Sequence, residues 1–285
     1  METINLLKQL TGIPAVSGFE EELGASALLA SFFPFLNPQI DNTGNVIYTL
    51  GQGKRKILIE AHMDEVGFIK TKKGFVKVGY IGEDNIKDKD IELSKRLEDI
   101  AYFKRKFTVK GFIVKSPALD NKSGCAALVL ALEKLKEMNA SVYFVFTTQE
   151  ETTKKGIKEV VKKLKPDIII SVDSAYAQPF ENKRWQIPEL GNGPAFQKQG
   201  KGFIIRQEDI LFLERLAKKN NISYQFEIVD SGEGDTNLTG IDSAIKMFQI
   251  NIPVRYQHTA LSEVDIRDIE NTAKMILALV KELTK

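Results

Sequence analysis

An α/β fold with a small β-rich insert is predicted by three features of the sequence. Apolar runs of strand length recur at Ile57 to Ala61, Ser141 to Thr147, Asp167 to Val172 and Ala244 to Val254. The second and third are joined by a helical pattern, with Ile157, Val160, Val161 and Leu164 at i, i+3, i+4 and i+7. That order predicts a right-handed βαβ unit. Between Lys70 and Lys110 the chain changes to short alternating runs dense in charge, which marks the insert.

The elements follow in order. Glu2 to Leu10 reads as an amphipathic helix that Ile13-Pro14 ends. Ser17 with Glu20 three residues on is a capping-box pattern for a helix from Gly18 to about Phe33. Gln39 to Asp41 and Asn45 to Thr49 read as paired strands around Asn42-Thr43-Gly44. In the insert, Gly74 to Tyr80 alternates like a strand, and Phe107 to Val114 reads as the returning strand. The helix Cys125 to Leu135 is apolar nearly all round, which places it centrally. Gln207 to Lys219 reads as a helix and Tyr224 to Val229 as a strand. Ser231 to Asn237 is a glycine-rich turn without phosphate-loop spacing. The last helix, Asp265 to Leu283, has Asp265 as its expected cap.

Composition narrows the function. The chain has 285 residues, 43% of them hydrophobic, enough for a sizeable core. Forty basic and 38 acidic side chains leave a net charge of +2, which argues against nucleic acid or an anionic membrane as the main partner. The single cysteine, Cys125, excludes an internal disulfide. The N-terminus lacks signal-peptide character and no apolar run reaches bilayer length, so a cytoplasmic location is expected.

Polar residues recur where strands end. His62 closes the first buried strand, with Asp64 two residues on. Edges of that kind are where open α/β sheets keep their sites. A neutral imidazole is a common metal ligand, and a carboxylate behind it fixes its tautomer. A lone histidine there is more often packed or at the surface. His258, the only other histidine, also follows an apolar strand. Asp120 stands at a helix start, Glu150 and Glu151 end a strand, and Asp173 ends another. Asp120 suits either a helix cap or a ligand. Two histidines and three carboxylates suit a pair of Zn²⁺-like ions with one carboxylate bridging. Of the adjacent Glu150 and Glu151, one can bind metal while the other faces the water as general base.

The sequence resembles the tetrahedral-assembly family of dinuclear-metal aminopeptidases, which includes glutamyl and deblocking aminopeptidases. The matching pieces are Ser17 to Glu21, His62 to Phe68, Ala118 to Cys125, Gln149-Glu150-Glu151, Val172-Asp173-Ser174 and Pro253 to Thr259. They come in the family's order over nearly the whole chain. The resemblance implies a three-layer α/β/α, phosphorylase/hydrolase-like catalytic domain at 1–69 and 113–285, with a shortened β-rich insert at 70–112. It implies His62 and Asp173 on one metal, Glu151 and His258 on the other, and Asp120 bridging. It implies Glu150 as general base and Asp64 as the orienter of His62. The cofactors would be two divalent ions, zinc or cobalt, with manganese as a further candidate. Short peptides would be the substrates and copies of the chain the partners, in a homo-oligomer. Three departures stand out: the short insert, Thr152-Thr153-Lys154-Lys155-Gly156 after Glu151, and Gly234-Asp235-Thr236-Asn237 where the family has Gly-Thr-Asp-Ala. A deacylase or carboxypeptidase of the same metallohydrolase type is the alternative activity. A metal-binding scaffold without catalysis is the alternative of another class.

Overall fold

The computed structural model describes residues 1–82, 86–135, 139–177, 184–201, 203–230 and 245–285. From the N-terminus come helices α1 (Thr3–Gly12), α2 (Glu20–Leu23) and α3 (Ala25–Ser31), then strands β1 (Gln39–Ile40), β2 (Val46–Leu50) and β3 (Lys56–His62). Next are β4 (Gly67–Thr71), β5 (Gly74–Val78), β6 (Ile91–Leu93), β7 (Ile100–Phe103), β8 (Thr108–Lys110) and β9 (Ile113–Ser116). Helix α4 (Leu119–Leu132), strand β10 (Ser141–Thr147), helix α5 (Lys155–Leu164) and strand β11 (Ile168–Tyr176) follow. The remainder is β12 (Ala195–Gly200), β13 (Phe203–Ile204), α6 (Gln207–Lys219), β14 (Gln225–Ile228), β15 (Lys246–Arg255), β16 (Ser262–Asp265) and α7 (Ile266–Leu283).

Twelve strands among the described residues form one mixed sheet. Its path runs β1-β2-β10-β3-β11-β15-β16-β9-β8, and β12 branches from β15 to carry β13 and β14. The heart is parallel: β10 with β3, β3 with β11, and β11 with β15. The outer pairs along the path are antiparallel. Side chains alternate between faces along a strand. Leu58, Val145 and Ile169 accordingly meet Ile157, Val160 and Val161 of α5 on one face. Ile57, Ile59, Phe144, Phe146, Ile168 and Ile170 share the other face with α1, α4, α6 and α7. The result is three layers, α/β/α, as expected. The opposite side of α5 is rich in lysine, so its buried stripe holds it, at ~1.5–3 kcal/mol per fully buried side chain. A second, antiparallel sheet, β5-β4-β7-β6, has its own small core around Phe68 and Phe103.

Several elements differ from expectation. Ser17 and Glu20 do not cap a helix running to Phe33. Gly24, at φ +97°, splits that span into α2 and α3, and Phe19 stands at the N-cap of α2 without a side-chain cap. Ser17 Oγ instead meets Thr152 Oγ1 at 2.8 Å, and Glu20 accepts the Gln149 amide at 2.8 Å. Both residues serve the turn that carries Glu150 and Glu151. The span from Phe107 to Val114 is no single returning strand of the insert. It is part of the hairpin β8–β9, which extends the large sheet through β16. The smaller sheet's strands run from Gly67 to Phe103. Strand β11 continues past Val172 to Tyr176, so Asp173 lies within it. Strands β4, β6, β7, β12, β13 and β16 are additional to the expected set. The cap at Asp265 is as expected, its Oδ1 accepting the Arg267 amide at 2.9 Å. The glycine-rich turn 231–237 lies outside the described residues.

Gly156 has no room for a side chain. An added Cβ would come within 2.4 Å of the Thr148 carbonyl oxygen and 2.5 Å of Asn45 Oδ1. Asn45 holds this corner, accepting the Thr148 amide at 2.9 Å and donating to the Gly156 carbonyl at 3.0 Å. Gly156→Ala is expected to cost ~1–3 kcal/mol through overpacking. A urea-unfolding midpoint equal to that of the native chain would contradict it.

Candidate metal centre

The face of the sheet toward α5 changes along its strands. It begins apolar, with Leu58, Val145, Ile169 and Met247. Continuing in steps of two, it carries Glu60 and His62 on β3, Thr147 on β10, Ser171 and Asp173 on β11, and Gln249 and Asn251 on β15. Strand register aligns these positions, Thr147 with His62 and Asp173 with Asn251. A polar shelf results at the carboxyl ends of the parallel strands.

The five candidate ligands come together at this shelf. His62 Nε2 lies 3.3 Å from Asp120 Oδ1 and 3.3 Å from Asp173 Oδ1. His258 Nε2 lies 3.1 Å from Asp120 Oδ2 and 3.2 Å from Glu151 Oε1. Two groups able to hold a metal therefore overlap at Asp120: His62, Asp120 and Asp173, and Asp120, Glu151 and His258. The two oxygens of Asp120 face different histidines.

Asp64 sits behind the shelf. Its Oδ1 lies 3.5 Å from His62 Nδ1 and accepts the Glu150 amide at 3.0 Å. Its Oδ2 accepts the Glu151 amide at 3.1 Å. Gln149, at φ +60°, turns the chain so that both amides meet one carboxylate. Glu150 lines the cavity beside the shelf, its Oε1 3.5 Å from Lys154 Nζ.

The start of α4 explains how Asp120 is spared for the site. Asn121, not Asp120, caps the helix: its Oδ1 accepts the Gly124 amide at 2.9 Å, and its Nδ2 donates to the Val172 carbonyl at 2.8 Å. Helical backbone begins only after Asn121, and the Asp120–Asn121 peptide is cis. Lys122 is buried and donates to the Met63 carbonyl at 2.5 Å, while Cys125 Sγ reaches the His62 carbonyl at 3.3 Å. The run Asp120 to Cys125 thus supplies a carboxylate and anchors the strand end that bears His62.

Electrostatics favour a cation here. Burial alone would lower the His258 pKa, but Glu151 and Asp120 push it up to about 12. Burial lowers and Asp120, Asp173 and Asp64 raise that of His62, which ends well above the usual histidine range. Burial would raise the Asp120 pKa, but His258 and His62 hold it far below the carboxylate range. Asp120 Oδ1 and Glu151 Oε1 are buried without a well-formed hydrogen bond. Imidazole and carboxylate donors, closely spaced and with unsatisfied lone pairs, fit divalent cations of the zinc type. A cavity of about 930 Å³ opens over them, with Tyr80, Tyr176 and Trp185 also in its walls. Trp185 donates to Asp230 Oδ1 at 2.5 Å. Sequence reasoning missed Gln197, Glu227, Gln249 and Asn251, which line the same cavity. The signal was the alternation of Gln249 and Asn251 within an otherwise apolar strand.

A mixed sheet between helix layers, with paired histidine–carboxylate groups at its strand ends, defines a metallohydrolase-type protein. The profile of the M42 glutamyl aminopeptidases matches residues 84–275. A putative aminopeptidase of Acetivibrio thermocellus is 32% identical, over 98% of this chain and 98% of that protein. An aminopeptidase from Desulfurococcus kamchatkensis superposes with a TM-score of 0.88 at 27% identity, covering 99% of this chain and 95% of that one. The TET1 peptidase of Pyrococcus horikoshii, which can assemble into a tetrahedron or a large octahedral shell, superposes with a TM-score of 0.83 at 26% identity, over 98% and 99% of the two chains. The chain belongs to the M42 glutamyl aminopeptidase family and is a metal-dependent aminopeptidase, a hydrolase of peptide bonds. No helix among the described residues is long and apolar enough to cross a membrane.

Removing Asp64 leaves one histidine unoriented and two amides without an acceptor. Asp64→Ala is expected to weaken metal binding ~10–100-fold. Competition with a fluorescent zinc chelator measures it, and unchanged affinity would contradict it.

Proposed function

We propose that this chain removes N-terminal residues from short peptides at a pair of divalent cations, with Glu150 as general base. In this reading His62 and Asp173 would hold one ion and Glu151 and His258 the other, with Asp120 available to both. The observation that carries it is Asp120 itself, one oxygen 3.3 Å from His62 Nε2 and the other 3.1 Å from His258 Nε2. When bound, such ions supply Lewis acidity and an activated water. Zinc or cobalt suits the mixed imidazole and carboxylate donors, and manganese is the third candidate.

The chain's own residues do the rest. Glu150 takes a proton from the attacking water and passes it to the leaving amine, so a single carboxylate serves both halves of the reaction. Asp64 keeps His62 in one tautomer and holds the Glu150–Glu151 backbone, so base and ligand keep a fixed spacing. Lys154, 3.5 Å from Glu150 Oε1, restrains that carboxylate from a second side. The small sheet from Gly67 to Phe103 is the unit beside the catalytic part, to which the hairpin β8–β9 belongs. The expected setting is cytoplasmic, as a homo-oligomer, and the shell-forming TET1 peptidase supports the latter.

Glu150→Gln should lower kcat by ~10²–10⁴-fold with metal content unchanged. Full metal occupancy with undiminished turnover of aminoacyl p-nitroanilides would remove Glu150 from this role. Stripping the metal with a chelator should abolish turnover, and Zn²⁺, Co²⁺ or Mn²⁺ should restore it. Full activity in protein shown to be metal-free would end the metal-centred mechanism. Cleavage of N-acyl amino acids in preference to the anilides would favour the deacylase alternative.

A further inference from the structure

We propose that the cavity wall next to Asp173 is the subsite for the substrate's first side chain, and that it takes a basic one, lysine or arginine. The proposal deepens the aminopeptidase reading and rests on it. The wall is built from β14 and β15. Glu227 is 3% exposed and lines the cavity, and its Oε2 accepts Asn251 Nδ2 at 2.6 Å. Asn251 Oδ1 in turn accepts Gln249 Nε2 at 2.6 Å. Gln249 is 1% exposed, and its Oε1 is buried with no hydrogen bond.

The direction of this relay is dictated by one charge. Opposite a cationic ligand Glu227 gives up its proton and can only accept, so Asn251 turns its amide nitrogen toward it. Asn251 then offers its oxygen to Gln249, which must donate. That leaves Gln249 Oε1 as the unpartnered end of the chain, buried from solvent. The wall therefore offers acceptors: the Glu227 carboxylate at the cavity and a buried amide oxygen behind it. Among the described residues, no lysine or arginine ion-pairs with Glu227. Burial, with a smaller contribution from Asp173, pushes the Glu227 pKa up to about 8, so the empty wall holds a largely protonated acid that a cation beside it would ionise.

The ligand that completes such a wall brings donors and positive charge. An apolar side chain would leave Glu227 and Gln249 unpaired, and an acidic one would meet Glu227 and Asp173. The two lysines lining the cavity do not offset this: Lys154 is paired with Glu150, and Lys201 is exposed. Position fits the role. Asn251 pairs in register with Asp173 on the neighbouring strand, ~5 Å away at the backbone. A side chain one bond from a scissile carbonyl at the metals would meet this wall.

The test uses the metal-loaded native chain and Glu227→Gln, which keeps the shape and removes the charge. Lysyl, arginyl, leucyl and glutamyl p-nitroanilides are compared by kcat/KM. Calorimetry follows binding of free L-lysine, L-leucine and L-glutamate to the same proteins. The native chain should favour the basic anilides over the leucyl one at least ~10-fold, and Glu227→Gln should narrow that ratio ~10–100-fold. Preference of the native chain for leucine or glutamate overturns the proposal, even if the variant does not fold. So does a loss shared equally by all substrates. If no anilide is cleaved yet lysine binds in a Glu227-dependent way, the basic subsite stands and the peptidase reading fails.

Discussion

Asp64 has no exposed surface, yet it stays ionised, and the whole site is arranged around that fact. Burial works against the charge, but His62 and the amides of the Glu150 turn outweigh it and hold the Asp64 pKa below its usual value. A buried carboxylate with unfilled lone pairs would be costly. Here one oxygen faces His62 Nδ1 and accepts the Glu150 amide, and the other accepts the Glu151 amide. The end of β3 and the Glu150 turn, 86 residues apart in sequence, are pinned by a single group. Moving either would leave a buried charge unpaired, which ties the spacing of histidine, base and ligand to this one carboxylate.

Glu20 extends the same logic outward. It accepts the Gln149 amide, and burial together with Asp64 pushes its pKa up to about 8. The Gln149 to Glu151 turn thus delivers three successive amides to two buried carboxylates. Ser17 and Thr152 close the corner through their hydroxyls. Thr152 therefore has a structural use, since it ties the N-terminal loop to the catalytic turn.

The candidate site was legible because its members are chemically conspicuous. Two histidines in the whole chain, each after an apolar strand, leave little else for a metal to bind. The three layers were legible from strands whose apolar runs are long enough to be buried on both faces. Ser17 and Glu20 misled because a capping box and a loop that feeds hydrogen bonds into another turn use the same residue types. The split at Gly24 is a tertiary choice, made with Arg96 packed where a Cβ would sit. The hairpin β8–β9 was assigned to the insert because sequence adjacency carries no information about which sheet a strand joins. Gln249 and Asn251 passed unread because two amides within an apolar strand look like tolerated exceptions until a cavity is seen beside them.

Those amides clarify what the sheet gives up for function. A parallel strand buried on both faces is most stable when apolar throughout. Strands β3, β11 and β15 keep that rule at their amino ends and abandon it on one face at their carboxyl ends. Glu60, Ser171 and Gln249 lie across three neighbouring strands, each nearly inaccessible to solvent. Asn121 shows the same trade at a helix end. By taking over the cap, it frees the carboxylate of Asp120, whose two oxygens can then face two histidines. Had Asp120 capped the helix, one of those oxygens would have been held by an amide, and the two ligand groups would share nothing. The pairing of two sites into one follows from which of two adjacent residues satisfies the backbone.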